Sequence, residues 1–418
     1  MQFIHSAVGY MALVACAWLV GKRSGPFPLK TTAIGVALQF ALAAALLQPS
    51  VRKPLFYVAG SFVALLQATA LRANQSLLFS GVTNEQFTRQ YGGMFALEMA
   101  GILIFVAALC RILYYHRVLP WIIGQLGRCM QRAFGISSAE SVGMAANIFL
   151  GMTEAPLLIR PYVKRLTQSE LFCLMTGGMA TIAGTVMVVY SVILADVMPD
   201  SAGHLLIASI ISAPAAIVIA KVMIPETEQP RTAGSQVSVS RDEKSRNTLD
   251  AAAQGAAEGM HLVLNIIAML IAFIGLVALG NELLGWLGQL VHTGSNWRLE
   301  ALAGFVFRPF VWLMGVSWSE TGTVGELMGV KTVLNEFVAY IELSSLMQTE
   351  SPLSMRSFII TTYALCGFAN FGSLAIMIGG IGGIAPERRP DLARLGMRSI
   401  AGGTLATMMT GSTIGFFL

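Results

Sequence analysis

The chain has 418 residues, of which 55% are hydrophobic and 12% charged, and a net charge of +5. Its mean hydropathy is +0.68. The charged share is about half the roughly 25% of soluble domains, and the apolar residues fall in runs of about 20, enough to cross about 30 Å of hydrocarbon. A DNA-binding module, a secreted disulfide scaffold and a disordered chain are excluded. The reading is an all-α polytopic membrane protein. The modest positive excess fits cytoplasmic loops. No basic run interleaved with aromatics points to nucleic acid. The five cysteines, Cys16, Cys110, Cys129, Cys173 and Cys366, are scattered without CxxC spacing and read as buried free thiols.

In chain order, the apolar run 5–21 has no convincing cleavage site after it and reads as a first span rather than a signal peptide. A second span, 31–48, follows a break holding Lys22, Arg23 and Lys30. The third, 94–115, ends in a break holding Arg111, His116 and Arg117. The fourth and fifth are 168–194 and 204–224. Residues 225–250, with Arg231, Arg241, Lys244 and Arg246, are too polar to pack and read as a cytoplasmic linker between two halves. Spans at 259–291, 358–384 and 394–418 complete eight, the last preceded by Arg388, Arg389 and Arg394. Placing the four basic breaks in the cytoplasm satisfies the positive-inside rule and leaves both termini outside.

Two further segments are apolar but interrupted. In 138–166, Ser137 and Glu140 form a capping box that starts a helix. That helix runs to about Leu150, so it is about 20 Å long, too short to cross. Gly151-Met152-Thr153-Glu154-Ala155-Pro156 breaks it. Thr153 is a cap for the next helix, and Pro156 fits its first turn. A second capping box, Thr167 to Glu170, starts the fourth span. Residues 317–348 repeat the pattern, with Ser317 and Glu320 as the box and Asn335-Glu336-Phe337-Val338-Ala339-Tyr340 after the break. Each segment reads as a re-entrant hairpin, the first opening to the cytoplasm and the second to the outside. Each precedes a span with a soft centre, at 181–186 and 368–373.

Hairpin plus interrupted helix, twice and inverted, is the layout of a secondary transporter. Irregular backbone at mid-membrane lines an enclosed site or a water-filled cavity. The two tips and two soft centres therefore mark the binding site. Glu154 and Glu336 sit at the tips, where a carboxylate needs a partner or hydration. They read either as a structural salt bridge or as acceptors for a polar substrate. Asn147, Thr153, Thr181, Asn370 and Ser373 supply neutral oxygens at matching depth, which serve helix–helix bonding or an ion. Lys331 either pairs with a carboxylate or snorkels. Gly380-Ile381-Gly382-Gly383-Ile384-Ala385 fits a dinucleotide fingerprint only formally, because it opens no βαβ unit.

At Ala145-Ala146-Asn147-Ile148-Phe149-Leu150-Gly151-Met152-Thr153-Glu154-Ala155-Pro156, at Asn335 to Tyr340, and at Cys366-Gly367-Phe368-Ala369-Asn370, the sequence resembles the concentrative nucleoside transporter family. The similarity runs from about residue 94 to the C-terminus. It implies a sodium-coupled nucleoside symporter, a homotrimer of eight-span protomers with interfacial helices at 55–85, 119–134 and 299–315. The implied division is a scaffold at 1–117 and 251–295, a transport domain at 118–224 and 296–418, and the linker 225–250 between the halves. In the family the first tip and its broken helix contact the base, which maps to Gly151, Met152, Thr153, Glu154 and Val186. The ribose contacts map to Glu336, Asn370 and Ser373, with Phe368 beside them. The sodium site maps to Asn147, Thr153 and Thr181 with the carbonyls of Leu150 and Ile182. Met152 stands where broadly selective members carry Gln, and with Thr185-Val186 it resembles the purine-preferring subtype. Proton coupling on the same fold, an ion channel and a membrane enzyme are the competing readings. A channel wants a ring of charge, and no acid–base or metal constellation favours an enzyme.

Overall fold

The computed structural model describes residues 2–22, 25–77, 95–235, 237, 245–290 and 298–418, and these hold helices and turns but no strand. Arg23, residues 78–85, 94 and 291, Arg241 and Lys244 lie outside the described residues. The first helices are α1 (Gln2–Val20), α2 (Leu29–Leu47), α3 (Pro49–Leu77), α4 (Phe95–Tyr115) and α5 (Val118–Phe134). Arg117, at φ 63°, lies between α4 and α5, which bend by 73° relative to each other. The amphipathic α5 buries Leu119, Ile123, Gly127, Met130 and Phe134, spaced three or four residues apart. Its other face exposes Trp121, Arg128 and Cys129. Cys129 is therefore not the buried thiol expected; Cys16 and Cys110 are partly covered, and Cys173 and Cys366 are buried.

The first interrupted segment forms α6 (Ser138–Asn147), α7 (Ala155–Leu158) and α8 (Arg160–Val163). Thr153 does not cap α7: the N-cap is Glu154, which makes no side-chain capping bond. The returning arm is split at Ile159, because Pro161 has no N–H to give back to the preceding turn. The expected fourth span is α9 (Gln168–Ala180) and α10 (Gly184–Ile193), parted at Thr181–Ala183. Then come α11 (Ser201–Met223), the long α12 (Thr248–Leu290) and α13 (Leu299–Leu313). The second interrupted segment forms α14 (Thr321–Val333) and α15 (Glu336–Met347). The expected seventh span is α16 (Met355–Leu365) and α17 (Phe371–Ile384), parted at 366–370, and α18 (Arg389–Phe417) ends the chain. Five stretches among the described residues, one of them α9 and α10 taken together, or six with the bent α4–α5 pair, are long and apolar enough to span. The expected eight also counts α16–α17, whose arms are singly too short, and α18, diluted by Gly and Thr.

The caps explain where the helices begin. Thr167 and Glu170 form the full capping box at α9. At α6 the box is only half made. Ser137 accepts from the Glu140 N–H, but the Glu140 carboxylate pairs instead with Lys221 at 2.6 Å, both buried. The Ser137 hydroxyl is also hydrogen-bonded to Glu170. Ser317 makes no cap at all. Glu320 ends a short 3-10 turn (Trp318–Glu320) and reaches across to accept from Ser354 N–H (2.5 Å), Ser354 Oγ (3.0 Å) and Ser357 Oγ (2.5 Å) at the start of α16. A carboxylate gains more from three donors on a neighbouring helix than from one N–H of its own turn.

These contacts place the open ends of the two interrupted segments at opposite ends of the molecule. Lys22, after α1, bonds Met223 O and Gln168, and Arg388, before α18, bonds Lys164 O and Leu166 O. That end holds the opening of the first segment. At the other end Arg356 donates to Gly415 O at 2.6 Å and to Ser6, beside Glu320 and the second opening. The stretch after α11 packs more than its polarity suggests. Thr232 is buried, and its carbonyl and hydroxyl take the N–H groups of Ser138 and Ala139 at the start of α6. Polar chain packs here because orphan helix N–H groups need acceptors.

The helix α13 lies against α14 through glycine. A Cβ on Gly325 would sit 2.6 Å from Gly304 O, a backbone atom that cannot swing away. Gly325→Ala is expected to force the helices apart at a cost of about 1–3 kcal/mol. A lower midpoint in thermal unfolding of the detergent-solubilised protein checks this.

Candidate functional site

The breaks meet at the centre of the molecule. The first tip docks onto the break in α9–α10, where Gly184 N–H donates to Phe149 O at 2.9 Å. In the second half, Asn335 caps α15 by accepting from Val338 N–H at 3.0 Å. Asn370 caps α17 by accepting from Ser373 N–H at 2.7 Å. With its Oδ1 so used, Asn370 turns its amide Nδ2 toward Glu336 Oε2, 2.8 Å away. Tyr190 Oη donates to Glu336 Oε1 at 2.6 Å. Tyr190 is itself held by Tyr340, ring centroids 4.8 Å apart, and by Phe337 at 6.1 Å. Glu336 is thus a buried carboxylate with a neutral donor on each oxygen and one face on a cavity.

That cavity has a volume of about 140 Å³ and is mainly apolar. Every substrate residue expected from the sequence lines it: Gly151, Met152, Thr153, Glu154 and Val186 on one side, Glu336, Phe368, Asn370 and Ser373 on the other. Glu154 is exposed toward it and accepts from Gly151 N–H at 3.3 Å. Among the described residues no salt bridge joins either tip carboxylate to a base. Gly380 finds a use unrelated to any dinucleotide: a Cβ there would lie 2.6 Å from Thr153 Cγ2.

The expected ion residues lie behind the first tip. Asn147, Leu150, Thr181 and Ile182 are buried and do not line the cavity, which Thr153 alone of that set touches. Asn147 Nδ2 donates to Leu174 O at 3.4 Å, while its Oδ1 is buried without a partner. Thr181 Oγ1 donates to Gly177 O at 2.9 Å, leaving its lone pairs free to accept.

Several lining residues escaped the sequence reading. Tyr190 stands four residues after Val186, so helical spacing alone puts both on one face. Asn335 and Phe337, within the second tip marked from the sequence but assigned no contact there, flank Glu336. Leu262, Ile266 and Met269 form an i, i+4, i+7 stripe on α12 and, with Leu103 of α4, close the cavity from outside the interrupted segments.

Comparison with known proteins shows what the chain is similar to. Residues 204–415 match the profile of the Na+ dependent nucleoside transporter C-terminus, and residues 96–197 that of the nucleoside recognition "Gate" region. An uncharacterized transporter of Haemophilus influenzae is 39% identical, over 100% of this chain and 98% of that protein. The nucleoside permease NupC of Helicobacter pylori is 34% identical, over 99% and 98%. The chain belongs to the concentrative nucleoside transporter family. The solved structure of CNTnw in an inward-facing substrate-bound state has the same fold, with a TM-score of 0.90 at 36% identity over 100% of this chain and 98% of that one. As a concentrative nucleoside transporter the protein is an integral membrane protein.

Proposed function

We propose that the protein is a sodium-coupled nucleoside symporter with a preference for purines, importing its substrate by an elevator-like movement. The observation that carries this reading is Glu336, held by Tyr190 and Asn370 and facing the Gly151–Glu154 tip across one cavity. Glu336, Asn370 and Ser373 hold the ribose hydroxyls, with Phe368 beside them. Gly151, Met152, Thr153, Glu154 and Val186 meet the base. Sodium, as co-substrate, is held by Asn147, Thr153 and Thr181 with the carbonyls of Leu150 and Ile182. The unpartnered buried Asn147 Oδ1 supports this, since a hard cation takes neutral oxygens, and so does the Na+ dependent description of the matched profile.

Sodium behind the tip fixes the tip against the break at Thr181, which completes the nucleoside site and couples the two ligands. The transport domain, residues 118–224 and 296–418 with its two re-entrant hairpins, then slides along the scaffold, residues 1–117 and 251–295. The stripe Leu262, Ile266 and Met269 is the scaffold wall it slides against. The protomers form a homotrimer in the cell membrane, with both termini outside and residues 225–250 in the cytoplasm. One charge moving inward releases about 2.3 kcal/mol per 100 mV, and a tenfold sodium gradient adds roughly 1.4 kcal/mol. Together these sustain accumulation of roughly 500-fold at one-to-one stoichiometry.

The test is uptake of radiolabelled adenosine and uridine into proteoliposomes, with and without an inward sodium gradient. Sodium-dependent adenosine accumulation with little uridine is expected. Comparable uptake of both removes the purine preference, and pH-driven uptake without sodium replaces the coupling ion by the proton. Met152 offers the base a soft apolar surface where Gln offers a donor and an acceptor. Met152→Gln is therefore expected to raise uridine uptake relative to adenosine by about tenfold. An unaltered adenosine-to-uridine ratio removes Met152 from the specificity determinants.

A further inference from the structure

Lys331 is fully buried on α14 and makes no salt bridge among the described residues, so it neither pairs with a carboxylate nor snorkels. Its ammonium donates instead to Ala364 O at 2.8 Å and Thr407 Oγ1 at 3.0 Å. Ala364 is in the last turn of α16, just before the break that carries Phe368 and Asn370. The last four carbonyls of a helix have no partner within it. At α16 each finds one. Tyr340 Oη reaches Thr362 O at 2.8 Å, Cys366 N–H reaches Tyr363 O at 3.2 Å, and Gly367 N–H reaches Leu365 O at 2.8 Å. Lys331 takes Ala364. The two side-chain donors come from the two arms of the second hairpin, and the cation faces the negative end of the α16 dipole.

The first half is built differently. At the corresponding end of α9, Thr181 covers Gly177 O. Among the described residues no donor reaches the carbonyls of Gly178, Met179 or Ala180 beyond it. One broken helix is closed by a lysine, and among the described residues no charged side chain bonds the end of the other.

We infer that Lys331 and Tyr340 are a two-armed cap that locks the broken end of α16 onto the second hairpin, making Lys331 a positioning residue for the Glu336–Asn370 contact. The functional part of this rests on reading the cavity as the nucleoside site. The lysine sets the position of Asn370 through the short link from Ala364, and Thr407 ties the same point to α18. Hairpin, broken helix and α18 then move as one body.

The test uses the full chain in nanodiscs, comparing wild type, Lys331→Met and Glu336→Gln by hydrogen exchange and adenosine calorimetry. In Lys331→Met, amides 366–373 are expected to exchange about tenfold faster while 148–154 stay unchanged. The adenosine Kd is expected to rise about tenfold, and in proteoliposomes KM rises while kcat stays within about twofold. Unchanged exchange at 366–373 overturns the cap, and equal loosening at 148–154 overturns the positioning role. If Glu336→Gln leaves adenosine binding intact while Lys331→Met loosens 366–373, the cavity reading fails and the cap stands. If Glu336→Gln abolishes binding while Lys331→Met leaves 366–373 protected, the cap fails and the cavity reading stands. Should Lys331→Met not fold, Tyr340→Phe removes the other arm, the bond to Thr362 O, and is expected to speed exchange at 366–373; full protection there overturns the cap.

Discussion

Glu336→Gln is expected to weaken adenosine binding by about 10- to 100-fold and to reduce uptake at low substrate in proportion. The carboxylate takes Tyr190 Oη on one oxygen and Asn370 Nδ2 on the other. An amide keeps one acceptor and places a donor where the second acceptor stood. An amide nitrogen facing Asn370 Nδ2 sets two donors against each other, and one facing Tyr190 obliges the hydroxyl to accept instead of donate; in both arrangements the charge and one set of the lone pairs proposed for a sugar hydroxyl are lost. A hydrogen bond to a charged group contributes about 1.5–3 kcal/mol, and about 1.4 kcal/mol is tenfold in affinity, which sets the range. The fold itself is expected to survive, because Asn335 still caps α15 through Val338 N–H. Calorimetry on purified protein and uptake into proteoliposomes measure the two effects separately. Wild-type affinity in the variant would remove Glu336 from the binding site.

Replacing sodium by choline, at fixed pH and membrane potential, is expected to collapse accumulation from a ceiling of roughly 500-fold to equilibration. The reasoning is local. Among the described residues Gly184 N–H to Phe149 O is the one backbone bond between the first tip and the break facing it, and Asn147 Oδ1 beside them has no partner. Without a cation the tip has little to hold it on the break, so its contacts to the base are formed in only part of the population. Affinity and driving force therefore fall together. Adenosine accumulation that persists without sodium but follows an imposed proton gradient would change the coupling ion and leave the nucleoside reading in place. Accumulation that follows neither gradient would remove cation coupling.

The membrane class, the order of the helices and the two interrupted segments were legible in the chain. Each follows from a local rule. Apolar runs of about 20 residues have few other uses. Gly151 before Pro156 stops one helix and starts another, and a carboxylate such as Glu154 or Glu336 in an apolar stretch demands a purpose. The residues of both tips and both soft centres accordingly turned up around one cavity. Capping was less legible. Thr167 and Glu170 behaved as their spacing predicts, whereas Ser317 and Glu320, with equal spacing, did not. The difference lies in a neighbour: Ser354 and Ser357 offered Glu320 more donors than its own turn.

Tyr190 as the second partner of Glu336, the cavity-lining stripe Leu262, Ile266 and Met269, the docking of Thr232 onto α6, and the bond from Lys331 to Ala364 O emerged only from the tertiary arrangement. Local spacing says which face of a helix a residue occupies and whether a backbone group is left unpaired. It does not say which distant group arrives to pair with it. Lys331 shows the gap most plainly. Its charge in an apolar stretch left two outcomes open, a carboxylate partner or snorkelling. The fold brought the open carbonyl of Ala364, 33 residues away, because the interrupted end of α16 leaves an orphan acceptor that a cation on the neighbouring α14 is well matched to fill.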